Sequence, residues 1–143
     1  MKTTFTQLND GWNAEPNGPE PKVEWQGDNL ILRFYMNPYQ FPEYQEGDIG
    51  EIVFRDCSRY RLGTLNDEGW YRGQSRWAGV KHAWGEFYQV VGDLRLSDVP
   101  DDWKTRDPNV GNRDHFIFYF RDEDFECDAR AWELKIIKAE PGH

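Results

Sequence analysis

The strongest pattern along the chain is an alternation of apolar and polar positions with a period of two, which marks strands with one buried face. Leu30, Leu32, Phe34 and Met36 fall on one side of the run from Leu30 to Met36, and Ile31, Arg33 and Tyr35 on the other. Glu51 to Leu62 alternates again, with Ile52, Phe54, Tyr60 and Leu62 opposite Val53, Arg55, Cys57, Arg59 and Arg61. Gly63 to Gly69 supplies turn chemistry, and Trp70 to Trp77 resumes with Trp70, Arg72, Gln74 and Arg76 on a common face. The two runs predict a hairpin. Trp84 to Leu96 predicts a third central strand, with Glu86, Tyr88 and Val90 opposite Gly85, Phe87 and Val91. In the last hairpin Phe116, Phe118 and Phe120 share a face, Asp122 to Asp124 make an acidic turn, and Phe125, Cys127, Ala129 and Ala131 return. Beyond Ala131 the apolar parity moves to Trp132, Leu134 and Ile136, a shift of one residue that predicts a β-bulge.

The remaining segments read as follows. Thr4 or Thr6 is placed to cap a short helix carrying Phe5, Leu8 and Trp12 at helical spacing, with Gly11 as its stop. Asn13 to Pro21 is an extended connection rich in Pro and Gly, and Asn37 to Gly47 a surface loop with aromatics that can pack. Ser97 to Trp103 suggests a single helical turn, and Lys104 to Asp114 a mobile loop. Six or seven strands with little helix predict a mainly β fold: a twisted antiparallel sheet forming a sandwich or open barrel, with a short N-terminal helix, in one domain spanning 1–143.

Composition adds bulk to this picture. With 9 Phe, 7 Tyr and 7 Trp in 143 residues, the rings alone can build a core and argue against disorder. The longest apolar run, Phe116 to Phe120, is far too short for a membrane helix or a signal peptide's apolar region, so a cytoplasmic protein is expected. Two cysteines, Cys57 and Cys127, are expected as free thiols in a reducing compartment. His82, His115 and His143 have no metal-ligand spacing to them, and neither metal nor cofactor is expected.

Charge is uneven. The net charge is −9; residues 1–50 carry 3 basic and 8 acidic groups, residues 51–95 carry 7 and 6, and residues 96–143 carry 7 and 12. Such a surface repels phosphate backbones and argues against nucleic acid, and it suits a basic partner. The middle third alone lacks an acidic excess, and its arginines define the candidate ligand or partner site. Arg55, Arg59 and Arg61 on one strand and Arg72 and Arg76 on the next, beside Trp70, Trp77, Glu86 and Tyr88, offer guanidinium forks and ring planes to an anionic or ring-bearing ligand. The competing reading is a face of cross-strand ion pairs; if the arginines instead form a solvated binding site, replacing Arg59 and Arg72 by alanine costs under about 1 kcal/mol of stability yet abolishes binding.

Other constellations are weaker. Asp122, Asp124, Glu126, Asp128 and Glu133 mimic the register of a calcium loop, but Cys127 stands where that loop requires glycine, so an acidic turn with a solvent face is expected. Asn66 to Gly73 has turn chemistry that also suits a loop over a binding surface. Glu86 has the chemistry of a base without an identifiable partner. No phosphate loop, serine elbow or His-Glu-x-x-His motif occurs, and no catalytic residue is assigned.

The segments Tyr60-Arg61-Leu62-Gly63, Asn66-Asp67-Glu68-Gly69-Trp70, Trp84-Gly85-Glu86-Phe87-Tyr88 and His115-Phe116-Ile117-Phe118-Tyr119-Phe120 resemble those of a family of small uncharacterised bacterial proteins. That resemblance spans most of the chain and implies no activity. In size, acidity and ring content the chain is also similar to immunity proteins that neutralise toxins, an analogy of composition. The leading expectation is a non-enzymatic interaction module, in one form an inhibitor of a basic partner. The alternative is a small-ligand binder or enzyme whose pocket is lined by Trp70, Trp77, Tyr88 and the central arginines.

Overall fold

Where the alternation is strongest, strands form. The computed structural model describes residues 4–64, 85–92, 102–120 and 123–139. Among them the strands are β1 (Thr4–Gln7), β2 (Lys22–Gln26), β3 (Asn29–Tyr35), β4 (Ile49–Arg55), β5 (Arg59–Thr64), β6 (Phe87–Val91), β7 (Lys104–Thr105), β8 (Asp114–Tyr119), β9 (Glu123–Ala129) and β10 (Ala131–Ile137). They build two sheets, one of six strands in the order β1-β6-β8-β9-β5-β7 and one of four in the order β10-β4-β3-β2. Every pairing is antiparallel. Of the architectures expected, the mainly β fold with antiparallel sheets is what forms, as two sheets and not a closed barrel.

The sheets meet through inward rings. Leu30, Leu32, Phe34, Ile52 and Phe54 of the smaller sheet share a cluster with Phe87, Phe116, Phe118, Phe125 and Cys127 of the larger. Phe34 lies 4.9 Å from Phe118, and Phe54 5.5 Å from both Phe116 and Phe125, between ring centroids. Each fully buried ring contributes about 1.5–3 kcal/mol, so this aromatic seam dominates the adhesion of the layers. Gly50 is the close point. A Cβ there would lie 2.6 Å from Met36 Sδ and 2.7 Å from Phe34 Cζ. Gly50→Ala is therefore expected to cost about 1–3 kcal/mol by overpacking, visible as a lower urea midpoint with an unchanged slope.

The N-terminal helix does not form. Thr4–Gln7 instead pairs with β6, Phe5 opposite Val90. Three apolar residues are too few to stabilise an isolated helix nucleus, whereas the edge of β6 offers a ready row of backbone partners. Phe5 then packs on Tyr88, Val90, Ile117 and Tyr119, while Leu8 and Trp12 enter the main core.

The long run from Glu51 to Leu62 is two strands in two sheets. The chain leaves the smaller sheet at Arg55, turns through Asp56, Cys57 and Ser58, and enters the larger at Arg59. Asp56 takes a left-handed φ of 47° at this corner. Its carboxylate accepts from Arg106 (2.7 Å), Arg113 (2.9 Å) and Arg130, and the guanidiniums of Arg113, foremost, and Arg130 hold its pKa down to about 2. Arg106 also donates to Cys57 O, and Arg113 to Asp56 O, so the segment expected to be a mobile loop is tied to the corner. Beside it, Arg130 alone links β9 in the larger sheet to β10 in the smaller. The parity change near Ala131 is thus a crossing between sheets, not a bulge, because a strand that changes layers must re-aim its side chains toward the core.

Both cysteines are free and buried. Cys57 donates to Arg59 O at 3.3 Å, and burial, together with the adjoining Cys57 thiol, pushes the Cys127 thiol well up. No helix among the described residues is long and apolar enough to cross a membrane.

Candidate functional site

Strand register places a charged array on the outer face of the six-stranded sheet. His115 of β8 stands opposite Asp128 of β9, which stands opposite Arg59 of β5. One step along, Ile117, Glu126 and Arg61 form the next row, followed by Tyr119, Asp124 and Gly63. Directly opposed side chains on one face lie about 4.5–5.5 Å apart at Cβ, close enough for ion pairs to close across each row.

They do close. Arg59 Nε donates to Asp128 Oδ2 at 2.8 Å, and Arg61 Nη1 donates to Asp124 at 2.7 Å and Glu126 at 3.1 Å, while its Nε donates to Asp102 at 2.8 Å. His115 lies between two carboxylates, Nδ1 to Asp128 and Nε2 to Glu126, both at 2.8 Å. Arg59, Asp128, Glu126 and His115 are each at most 3% exposed. Trp103 covers the array, its ring centroid 3.9 Å from the Arg59 guanidinium carbon and edge-on to His115. Gly63 leaves the room this needs, since a Cβ there would fall on the Arg61 guanidinium and on Asp124.

The electrostatics follow from this geometry. Burial by itself lowers the His115 pKa, but the bonds to Asp128 and Glu126 outweigh it and the imidazole is held above its ordinary value as a cation. Burial likewise works against the Arg61 charge, and Asp102, Asp124 and Glu126 overcome it. Asp124 is pushed up, by burial first, in spite of Arg61. With both nitrogens hydrogen-bonded to buried carboxylates, the imidazolium has no free lone pair to offer a substrate proton.

The acidic row is therefore neither a solvent face nor a negative edge. Asp124, Glu126 and Asp128 are buried against Arg59, Arg61 and His115, cations of the chain itself. The arginine face is divided. Arg59 and Arg61 are together, but Arg55 lies in the other sheet, where it is exposed and pairs with Glu133. Tyr88 shares the outer face in the apolar patch with Val90, Ile117 and Tyr119. Glu86 precedes β6 and accepts from Asn13 Nδ2 (2.8 Å), Gln7 Nε2 (3.0 Å) and Asn9 Nδ2, which fastens the N-terminal segment to that strand. Arg72, Arg76, Trp70 and Trp77 lie outside the described residues.

A second locus was not anticipated from the residues. The 15–20 segment is pinned to β3, with Glu15 N donating to Tyr35 O and Tyr35 N to Pro19 O, both at 2.9 Å. Asn37 Oδ1 accepts from Tyr39 N and Gln40 N and sets the start of the facing loop. Between them opens a cleft of about 290 Å³ lined by Glu15, Glu20, Glu46, Tyr35 and Tyr39, with no cationic side chain in its wall. Glu15 is fixed by the backbone N–H groups of Asn17 and Gly18, and Tyr39 is 69% exposed. Glu20 is left-handed, with φ 47°, a conformation that costs a non-glycine residue on the order of 1–3 kcal/mol. Of the nearby cations, Arg33 pairs with Glu24 and Glu51 and Lys138 with Asp48, and Lys22 lines a neighbouring groove rather than the wall of this cleft. The one cue in the chain was the acidic excess of residues 1–50; which carboxylates converge depends on β3 bringing two distant loops together. Comparison with protein-family models, curated proteins and solved structures finds no match to this chain, so the reading of these sites rests on their own geometry.

Proposed function

We propose that this chain is a non-enzymatic interaction module that holds a basic partner, with the cleft between the 15–20 segment and the 37–47 loop as the receptor for a lysine or arginine side chain. The observation that carries the reading is the lining of that cleft: three glutamates and two tyrosines without a cation. Carboxylates pair with a guanidinium or ammonium, and exposed tyrosine faces add cation–π attraction of about 0.5–1 kcal/mol. A net charge of −9 steers such a partner toward the surface and makes association sensitive to salt. An inhibitor of a basic protein, acting in the cytoplasm, is the form this function takes in our reading. The alternative, an anion pocket at the central arginines, has less support because Arg59 and Arg61 are already neutralised by buried carboxylates.

A hexa-arginine peptide is the probe. Glu20→Gln with Glu46→Gln is expected to weaken its binding at least tenfold, while Asp10→Asn with Glu43→Gln, an equal charge change outside the cleft, changes it less than threefold. Equal losses in both pairs would mean attraction to overall charge, and no loss in the first pair would remove the cleft; either result overturns the reading.

A further inference from the structure

At the edge of both sheets, away from the acidic cleft, the structure brings two tryptophans and a lysine to one groove. The β2–β3 hairpin turns through Gly27 and Asp28, with Gly27 at φ 62° in the first central position that a tight II′ turn reserves for glycine. This turn faces β7, one of the two edge strands of the six-stranded sheet, with Asp28 3.3 Å from Arg106 just beyond it. Between them lies an open groove of about 430 Å³ lined by Trp25, Gly27, Trp103, Lys104, Thr105 and Arg106. A Cβ at Gly27 would meet nothing within 4 Å, so the space next to the turn is open.

Both indoles are held from behind. Trp25, 36% exposed, rests edge-on against Tyr60 at 5.6 Å, and Tyr60 in turn stacks on the core ring Phe125. Trp103 rests on the Arg59 guanidinium, which Asp128 fixes. Rings fixed in this way lose little freedom when a ligand stacks on them.

The charged side chains that line the groove are the cations Lys104 and Arg106, and no carboxylate lies in its wall. The carboxylates around it are paired: Asp28 and Asp56 with Arg106, Glu24 with Arg33, Asp102 with Arg61. Lys104 is exposed and makes no ion pair among the described residues. An uncompensated ammonium beside two indoles matches a flat ring that carries a negative group, the ring stacking and the anion meeting Lys104.

We infer that the groove between Trp25 and Trp103 is a binding site for a small aromatic carboxylate, distinct from the cleft proposed for a basic partner. Indole-3-acetate serves as the probe, with indole and tryptamine as its neutral and cationic counterparts, and the tryptophan indole N–H resonances as the readout. Indole-3-acetate is expected to shift two indole signals saturably, one of them the signal missing in Trp25→Ala, and tryptamine is expected to bind at least tenfold more weakly. Lys104→Glu is expected to weaken indole-3-acetate at least tenfold and indole less than threefold. Trp25 and Lys104 are surface residues, and an unchanged circular dichroism spectrum shows that the variants fold. The proposal is overturned if the indole signals do not saturate below 10 mM, if tryptamine binds as well as indole-3-acetate, or if Lys104→Glu leaves the anion's affinity unchanged.

Discussion

Replacing Arg59 with alanine is expected to destabilise the protein by about 3–5 kcal/mol, the cost of leaving a buried carboxylate without its partner. Asp128 is fully buried and accepts from Arg59 on one oxygen and from His115 on the other. Losing Arg59 also takes the cation from beneath Trp103. This reverses the small cost that a solvated arginine would carry. Arg55 provides the contrast within the same protein: half exposed and paired with an exposed Glu133, its replacement by alanine is expected to cost under about 1 kcal/mol. Urea unfolding of the two variants measures the difference. Similar midpoints would show that the outer-face array is as open to water as Arg55.

The second large effect is on pH dependence, and it centres on His115. Its described neighbours are Asp128 and Glu126 from β9, Val90 opposite it on β6, Arg59 and Arg61 behind the carboxylates from β5, and Trp103 above. Its folded pKa is raised above the ordinary 6.5, so the folded state binds its proton more tightly than the unfolded chain does. The resulting stabilisation is complete below pH 6.5 and is lost as pH rises through the folded value. Asp124, also raised, acts in the same direction at lower pH, its contribution complete below pH 3.8 and lost as pH rises through its folded value. Asp56 acts oppositely: its pKa is lowered to about 2 from 3.8, so its contribution is present above pH 3.8 and disappears as pH falls toward 2. Stability is therefore expected to peak between about pH 4 and 6.5 and to decline on the alkaline side. His115→Gln, which cannot carry the proton, is expected to flatten the alkaline limb and lower the peak. Thermal midpoints recorded from pH 4 to 9 test this, and an alkaline limb that persists unchanged in His115→Gln removes His115 as its source.

The acidic alternation in β9 illustrates where local reading stops. Asp124, Glu126 and Asp128 alternate with Phe125 and Cys127, and the residues show correctly that these are two faces of one strand. They do not show which face meets what. The partners of the carboxylates are remote, Arg61 being 63 residues from Asp124 and Arg59 being 69 from Asp128. A polar face on a strand is solvated by default; here the neighbouring strands carry matching cations and Trp103 closes over them. His115 offered no cue of its own, since its two ligating carboxylates become neighbours only through the β8–β9 register.

What the sequence by itself determined is the alternation of β3, β4, β8 and β9 and their inward residues, because side-chain alternation is a property of the extended backbone within a few residues. Leu30, Leu32, Phe34, Ile52, Phe54, Phe116 and Phe118 are in the core for that reason. Only the tertiary structure decided where the chain changes sheets, since the alternation runs on through Asp56 although the strand does not. It also decided that Arg59 and Arg61 are internal while Arg55 is not, and that Glu15, Glu20 and Glu46 meet around one cleft. The physical reason is common to all three: facing is fixed locally, whereas burial and charge pairing depend on which distant strand or loop lies across the face.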